Sequence, residues 1–301
     1  MDTLSDEVNA LKKEKNAIVL AHNYQVPEIQ DIADFIGDSL ELSRQAVDTK
    51  ADLIVFCGVD FMAETAKILN PKKRVVVPDP NAQCPMAKML KPEEIVAAKK
   101  ANPGAPVLLY VNTFASCKAL ADYACTSANA IKMVESIPAE KILFGPDKNL
   151  LEYAAEKTDK ELVPIPAHGF CITHQHIDYH IIDSLKKIHP KAKVVVHPEC
   201  NSEVRKRADD ISSTSGMLRF CKSDDAKEYI VGTEEGLIYR MQKEIPGKKF
   251  WRVGAICQNM KRNTLEKVRD ALREPKYEVK LPEDVMDKAR LSIKRMLELT
   301  A

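Results

Sequence analysis

Runs of apolar, mostly β-branched residues recur along the chain: AIVLA at 17–21, LIVFC at 53–57, VLLY at 107–110, KILF at 141–144, KVVV at 193–196 and EYIV at 228–231. They are apolar at nearly every position, not at alternate ones, which predicts strands covered on both faces, as in parallel sheets flanked by helices. A polar triplet or a glycine turn follows each run, and then a stretch with helical spacing. The opening TLSDEVNALKKEK reads as a capped amphipathic helix and not as a signal peptide.

The pattern repeats. Three segments beginning at Asn16, Ala105 and Ala192 each run from strand to polar triplet, to a helical stretch with Ala-Asp, to small hydroxyl residues. His22, Tyr110 and His197 share one phase, as do Asp34, Asp122 and Asp209, and Ser39, Ser127 and Thr214. In the second half of each repeat Gly58, Gly145 and Gly232 align, followed by Asp60, Asp147 and Glu234 in the first turn of a helix, where the helix dipole favours an acid. The spacing predicts three small α/β sandwiches with parallel sheets around a pseudo-threefold axis: residues 1–102, 103–189 and 190–276. A C-terminal strand and helix, 277–301, are expected to pack back on the first unit. A length of 301 residues agrees with several units.

Composition narrows the function classes. Charged residues make up 30% and the net charge is +1, with lysine and arginine dispersed, so no nucleic-acid stripe or polybasic membrane patch is expected. No apolar run approaches the roughly 20 residues that span a bilayer. A cytoplasmic protein is the expectation.

The cysteines carry the candidate chemistry. Eight are present and none forms a C-x-x-C pair. In a cytosolic chain this argues for buried thiols or a metal or catalytic site over disulfides. Cys84, Cys171 and Cys257 stand in one phase of the repeat, in the loops NAQCPMAK, AHGFCITH and GAICQNMK, each expected after the third strand of its unit. Cys57, Cys117, Cys125, Cys200 and Cys221 have no counterparts and read as small core hydrophobes. Ligands of parallel sheets bind beyond the carboxyl ends of the strands. The triplets there, His22–Tyr24, Tyr110–Asn112 and His197–Glu199, and the three cysteine loops would face one central cavity. Three thiolates from separate units suit a cubane 4Fe–4S cluster with one open iron, a Lewis acid for a dehydration. Zinc, with a hydrolase or lyase chemistry, is the alternative that spacing leaves open. A non-catalytic metal-binding sensor is a third, disfavoured by the enclosed position expected for the loops.

The motifs AHNYQVPEIQDIADFIGDSL, YVN, CTSANA, FGPDKNL, HPEC and the three isolated cysteine loops resemble the quinolinate synthase family over nearly the whole chain, in order. The resemblance implies condensation of iminoaspartate with dihydroxyacetone phosphate to quinolinate, and a 4Fe–4S cluster on Cys84, Cys171 and Cys257. It also implies a functional partner that supplies iminoaspartate. His22, Ser39 and Ser127 are similar to the family residues that hold carboxylates, Asn112 adds an amide donor, and Thr214 resembles a phosphate or carboxylate anchor. Glu199 is the candidate base, with His197 two residues before it; Tyr24 and Tyr110 are candidate acids, and His174 orients the cluster loop or substrate. Taken singly, any of these histidines and tyrosines could be a hydrogen-bonded core residue, and Ser39, Ser127 and Thr214 could be helix caps. The chain departs from the family pattern at Ser215, where glycine is expected, and at Phe114, where a small hydroxyl residue is expected.

Overall fold

The computed structural model describes residues 3–300. Its strands fall into three four-stranded parallel sheets. The first holds β1 (Ala17–His22), β2 (Phe35–Gly37), β3 (Leu53–Cys57) and β4 (Arg74–Val76). The second holds β5 (Val107–Tyr110), β6 (Tyr123–Cys125), β7 (Lys141–Gly145) and β8 (Glu161–Pro164); the third holds β9 (Lys193–Val196), β10 (Asp210–Ile211), β11 (Glu228–Gly232) and β12 (Lys249–Arg252). Every sheet has the same order, second strand, first, third, fourth: β2-β1-β3-β4, β6-β5-β7-β8 and β10-β9-β11-β12. The protein is thus three α/β units of one topology, the fold class the apolar runs predict.

The strand pleat explains why the runs are apolar throughout. Leu20, Leu108 and Val195 point into one large core shared by the three units. Their neighbours Val19 and Ala21, Val107 and Leu109, and Val194 and Val196 point the other way, each pair into a separate outer core of its own unit. The repeated aspartates are structural: Asp34, Asp122 and Asp209 accept the backbone N–H of Val19, Val107 and Val194 at 2.7, 2.8 and 2.7 Å.

The sequence pattern missed β2, β6 and β10. They are only two or three residues long, too short to show a period. The cysteine loops therefore follow the fourth strand of each unit, not the third. Cys57, Cys117, Cys125, Cys200 and Cys221 are all buried in the apolar cores.

At the chain start, the Leu4–Glu14 helix is capped by Thr3, which exchanges hydrogen bonds with Asp6. At the other end, backbone bonds from Val77 N–H to the Tyr277 carbonyl and from Val279 N–H to the Val75 carbonyl lay 277–279 along the edge of the first sheet. The Glu283–Leu299 helix then buries Met286, Ala289, Ile293 and Met296. It lies against the Asp60–Leu69 helix of the first unit and, more extensively, against β6 and the helices Ala115–Lys118 and Ala130–Ser136 of the second. No helix among the described residues is long and apolar enough to cross a membrane.

Candidate active site

The carboxyl ends of the three sheets and the three cysteine loops enclose one cavity of about 230 Å³. Every side chain given a ligand-binding or catalytic role in the sequence lines it: Cys84, Cys171 and Cys257 from the loops; His22 and Tyr24, Tyr110 and Asn112, and His197 and Glu199 from the strand ends; Ser39, Ser127 and Thr214 from the turns; and His174.

The cysteine side is built the same way three times. Asp60 accepts the backbone N–H of Cys84 at 3.0 Å, Asp147 that of Cys171 at 2.9 Å, and Glu234 that of Cys257 at 3.2 Å. Of the three acids expected in a helix's first turn only Asp60 lies there; Asp147 is the N-cap of the Lys148–Ala155 helix and Glu234 precedes the cap of Gly236–Glu244, and what they share is fastening the cysteine loops. Burial pushes all three thiols up; Cys257 further opposes ionisation of Cys84, and Cys84 that of Cys171. Thiols that face one another in this way become thiolates readily only when a bound cation compensates their charge. Among the described residues, one set of three potential ligands stands close enough to share a single ion: Cys171, His174 and Glu199, with atoms within 4.8 Å of one another. The three cysteines do not form such a set, whereas thiolates on one tetrahedral zinc stand only about 3.8 Å apart, given Zn–S bonds of about 2.3 Å.

The strand-end side presents donors. The Tyr24 backbone N–H donates to Nδ1 of His22 at 3.2 Å, and the Glu199 N–H to Nδ1 of His197 at 3.3 Å. Burial lowers both imidazoles to about pKa 3, so they are neutral at pH 7. With Nδ1 accepting, Nε2 carries the proton. His197 Nε2 donates to the Ser127 hydroxyl at 3.2 Å, and the Ser127 proton is left for the cavity. The helices Ser39–Asp48 and Thr214–Ser223 both begin at the cavity, and their caps are cross-linked: Ser213 donates to Asp38 at 2.9 Å, and Ser215 donates to Glu41. Two helix N-termini side by side favour anionic oxygens. Ser215, the departure from glycine, turns its hydroxyl to Glu41, and Phe114 packs against the central core.

Glu199 stands at the centre. His174 Nδ1 lies 2.6 Å from its carboxylate and Asn112 Nδ2 donates at 3.4 Å. Burial alone would raise its pKa, but the imidazoles of His197 and His174 and hydrogen bonds from His174 and Tyr110 outweigh it and hold it down to about 2. Because a carboxylate only accepts, His174 Nδ1 carries a proton; it also lies 3.2 Å from the Cys171 sulfur. On its other side, Nε2 meets the hydroxyls of Thr233 at 2.8 Å and Tyr24 at 3.3 Å. Burial drives Tyr24 and Tyr110 well above the ordinary phenol value, so both keep their protons. Asn112 donates one amide proton to Glu199, and its buried Oδ1 has no partner among the described residues.

Sequence reasoning missed Asp38, Phe61, Met62, Met86 and Glu234, which also line the cavity, and Thr233 behind it. Glu234 had a signal, the repeat phase it shares with Asp60 and Asp147. The apolar side chains had none, because they look like any core residue.

A family model described as "Quinolinate synthetase A protein" matches residues 6–298. The chain is 52% identical to a "Quinolinate synthase" of Thermococcus onnurineus over 302 residues, covering 100% of this chain and 99% of that one. It is 50% identical to proteins of that name in Thermotoga maritima, over 98% of this chain and 99% of the relative, and Methanocaldococcus jannaschii, over 98% of each. With the family model spanning almost the full length, the chain belongs to the quinolinate synthetase A protein family.

Proposed function

We propose that the chain is a quinolinate synthase, joining iminoaspartate to dihydroxyacetone phosphate with loss of two waters and phosphate. The observation that carries this reading is the convergence of three thiols, one from each unit, on a cavity whose other side presents hydrogen-bond donors. The thiols fit a 4Fe–4S cluster on Cys84, Cys171 and Cys257 better than a single ion, because they do not crowd around one point and no other cysteine lines the cavity among the described residues. When bound, a cluster held by three cysteines supplies an iron with an open position, a Lewis acid toward a hydroxyl or carboxylate oxygen.

The chain's own residues divide the remaining work. The Nε2 protons of His22 and His197 and the hydroxyls of Ser39, Ser127 and Thr214 hold carboxylate and phosphate oxygens. Ionised Glu199 removes protons in the imine and enamine steps, aimed by the His174 Nδ1 proton. Tyr24, protonated at neutral pH, donates to a departing oxygen, while the Tyr110 phenol, turned to Glu199, helps keep that carboxylate ionised. Asn112, with one Nδ2 proton on Glu199, has the second to offer a substrate oxygen. Iminoaspartate hydrolyses in water, so a partner that forms it by oxidising an amino acid belongs to this reading.

The Cys171, His174 and Glu199 set favours a rival, a zinc-dependent hydrolase or lyase. Iron, acid-labile sulfide and zinc are to be measured per chain on protein purified without oxygen, alongside a quinolinate assay. About four iron and four sulfide, a brown colour lost in air, and product that disappears in Glu199→Gln with iron retained are expected. Stoichiometric zinc in colourless, air-stable protein would overturn the assignment in favour of the rival.

A further inference from the structure

Thr214 is held from behind by a two-residue relay that crosses between the first and third units. Arg240, at 2.7 Å, donates through Nη1 to the side-chain oxygen of Asn23, and Asn23 Nδ2 lies 2.7 Å from the Thr214 hydroxyl. Asn23 is fully buried and Thr214 nearly so. Arg240 is itself braced by Glu244 one helical turn on, at 2.5 Å.

The direction of each bond follows from the donors available. A guanidinium has no acceptor, so the Asn23 atom facing Arg240 is its oxygen. The atom facing Thr214 is then an NH₂ group, which only donates. Thr214 therefore accepts from Asn23, and its single proton must go elsewhere. A threonine inside a helix gives that proton to the carbonyl four residues back, as Thr65 does to Phe61 at 2.9 Å. Thr214 opens its helix and has no such carbonyl. Among the described residues its proton has no acceptor, while the side chain lines the cavity.

We propose that Asn23 and Arg240 are positioning residues that fix the Thr214 hydroxyl as an obligate donor to an anionic oxygen of the substrate. The inference rests on the reading of the cavity as a site for carboxylate and phosphate groups, and it identifies what Thr214 selects: an acceptor such as carboxylate or phosphate, never a substrate hydroxyl that must donate.

Asn23→Asp tests the relay at nearly constant shape. An aspartate still pairs with Arg240 but can only accept from Thr214, so it draws the hydroxyl proton away from the cavity. Binding of two probes, pyridine-2,3-dicarboxylate and malonate, is measured by calorimetry on protein purified without oxygen. Asn23→Asp and Thr214→Val should each weaken at least one probe by roughly ten- to hundredfold, the scale of one lost hydrogen bond to a charged group. The double variant should be no weaker than Thr214→Val alone. Arg240→Lys, which keeps a donor, should retain most of the affinity, and Arg240→Gln should lose it in part. In turnover, the KM of one anionic substrate should rise while kcat stays within about threefold.

Unchanged affinity in Asn23→Asp, losses that multiply in the double variant, or wild-type protein that binds neither probe would each overturn the relay. If Asn23→Asp fails to fold, Arg240→Gln decides by the same criteria. The two readings separate cleanly. Dicarboxylate binding that depends on Asn23, in protein that forms no quinolinate, keeps the relay and sinks the assigned reaction. Quinolinate formed with Asn23→Asp affinity unchanged does the reverse.

Discussion

The leading strands of the first and third units run into an imidazole, at the end of β1 and directly after β9, and that of the second ends in a phenol. His22 and His197 are held identically, each accepting on Nδ1 from the N–H two residues on. Tyr110 occupies the same phase, and the Glu199 carboxylate of the third unit, after burial, helps keep its phenol protonated. The residues two further on diverge completely: Tyr24, Asn112 and Glu199, a phenol, an amide and a carboxylate. The same three units agree where the backbone must be fastened, in the aspartates that accept N–H groups from β1, β5 and β9 and in the acids behind the cysteines. Repetition thus preserved the scaffold and the thiols while the groups around the cavity diversified, which is how near-symmetric units build a site for an asymmetric reaction.

The largest expected effect lies where the units are alike. Cys84→Ala, Cys171→Ala and Cys257→Ala should each abolish stable iron binding in anaerobically purified protein, to a similar degree. Cys57→Ala and Cys221→Ala, in the apolar cores, should keep full iron and cost only about 1–2 kcal/mol through a small cavity. Iron retained in any one of the three loop variants would break the equivalence of the units at the point where it is most needed.

Acid sensitivity should separate the units. His22 and His197 have pKa values lowered from 6.5 to about 3 by burial. As pH falls through 6.5 the unfolded chain takes up protons that the folded chain refuses until near 3. Their contribution to stability is therefore complete above 6.5 and is lost progressively below it, at up to about 1.4 kcal/mol per pH unit for each imidazole. Glu199, lowered from 4.5 to about 2, adds in the same sense further down. Urea midpoints measured between about pH 5 and 7 isolate the imidazoles. His197→Gln should flatten that limb, and Tyr110→Phe, whose phenol ionises far above it, should leave the slope as it is. Equal slopes in wild type and His197→Gln would show that the strand-end histidines do not carry the acid limb.

The acids behind the cysteines sharpen the comparison further. Glu234 is ion-paired with Lys261 at 2.8 Å. Asp147, among the described residues, has no basic partner at ion-pair distance and is held by the backbone N–H groups of Leu150 at 2.7 Å and Cys171 at 2.9 Å. Asp147→Ala leaves both donors buried and unsatisfied, at about 1–3 kcal/mol each. The expected result is a lower unfolding midpoint and slower iron uptake, with Asp147→Asn, which keeps an acceptor oxygen, largely restored. An Asp147→Ala protein with wild-type midpoint and iron content would return these acids to the helix-dipole role read from the sequence.

Much of this was legible in the sequence because a repeat of near 87 residues turns weak local signals into phase agreement. A lone Cys84 says little; Cys84 in phase with Cys171 and Cys257 says where three loops meet. What escaped has physical reasons. β10 is a two-residue strand with no period to read. Phe61 and Met62 line the cavity with the same apolar chemistry they would use in a core. Hydrogen-bond direction is a property of the folded neighbours: nothing in YVN tells that Asn112 turns its nitrogen to Glu199 and leaves its oxygen free.

The smallest effect is expected at Ser215, the family glycine position. A glycine there would remove the hydroxyl that reaches Glu41, a partner about one-third exposed that water can satisfy in its place. Loss of the hydroxyl and the entropy of glycine in the second position of a helix together amount to roughly 1 kcal/mol. The backbone at the start of the helix stays as it is, because Ser213 still caps it through Gly216 and still donates to Asp38. Ser215→Gly should therefore lower the unfolding midpoint slightly and leave both KM values within about twofold. A larger change in KM would mean that the bond to Glu41 sets the angle between the two helix N-termini, and that the first and third units are locked together at the cavity by this serine as well as by Ser213.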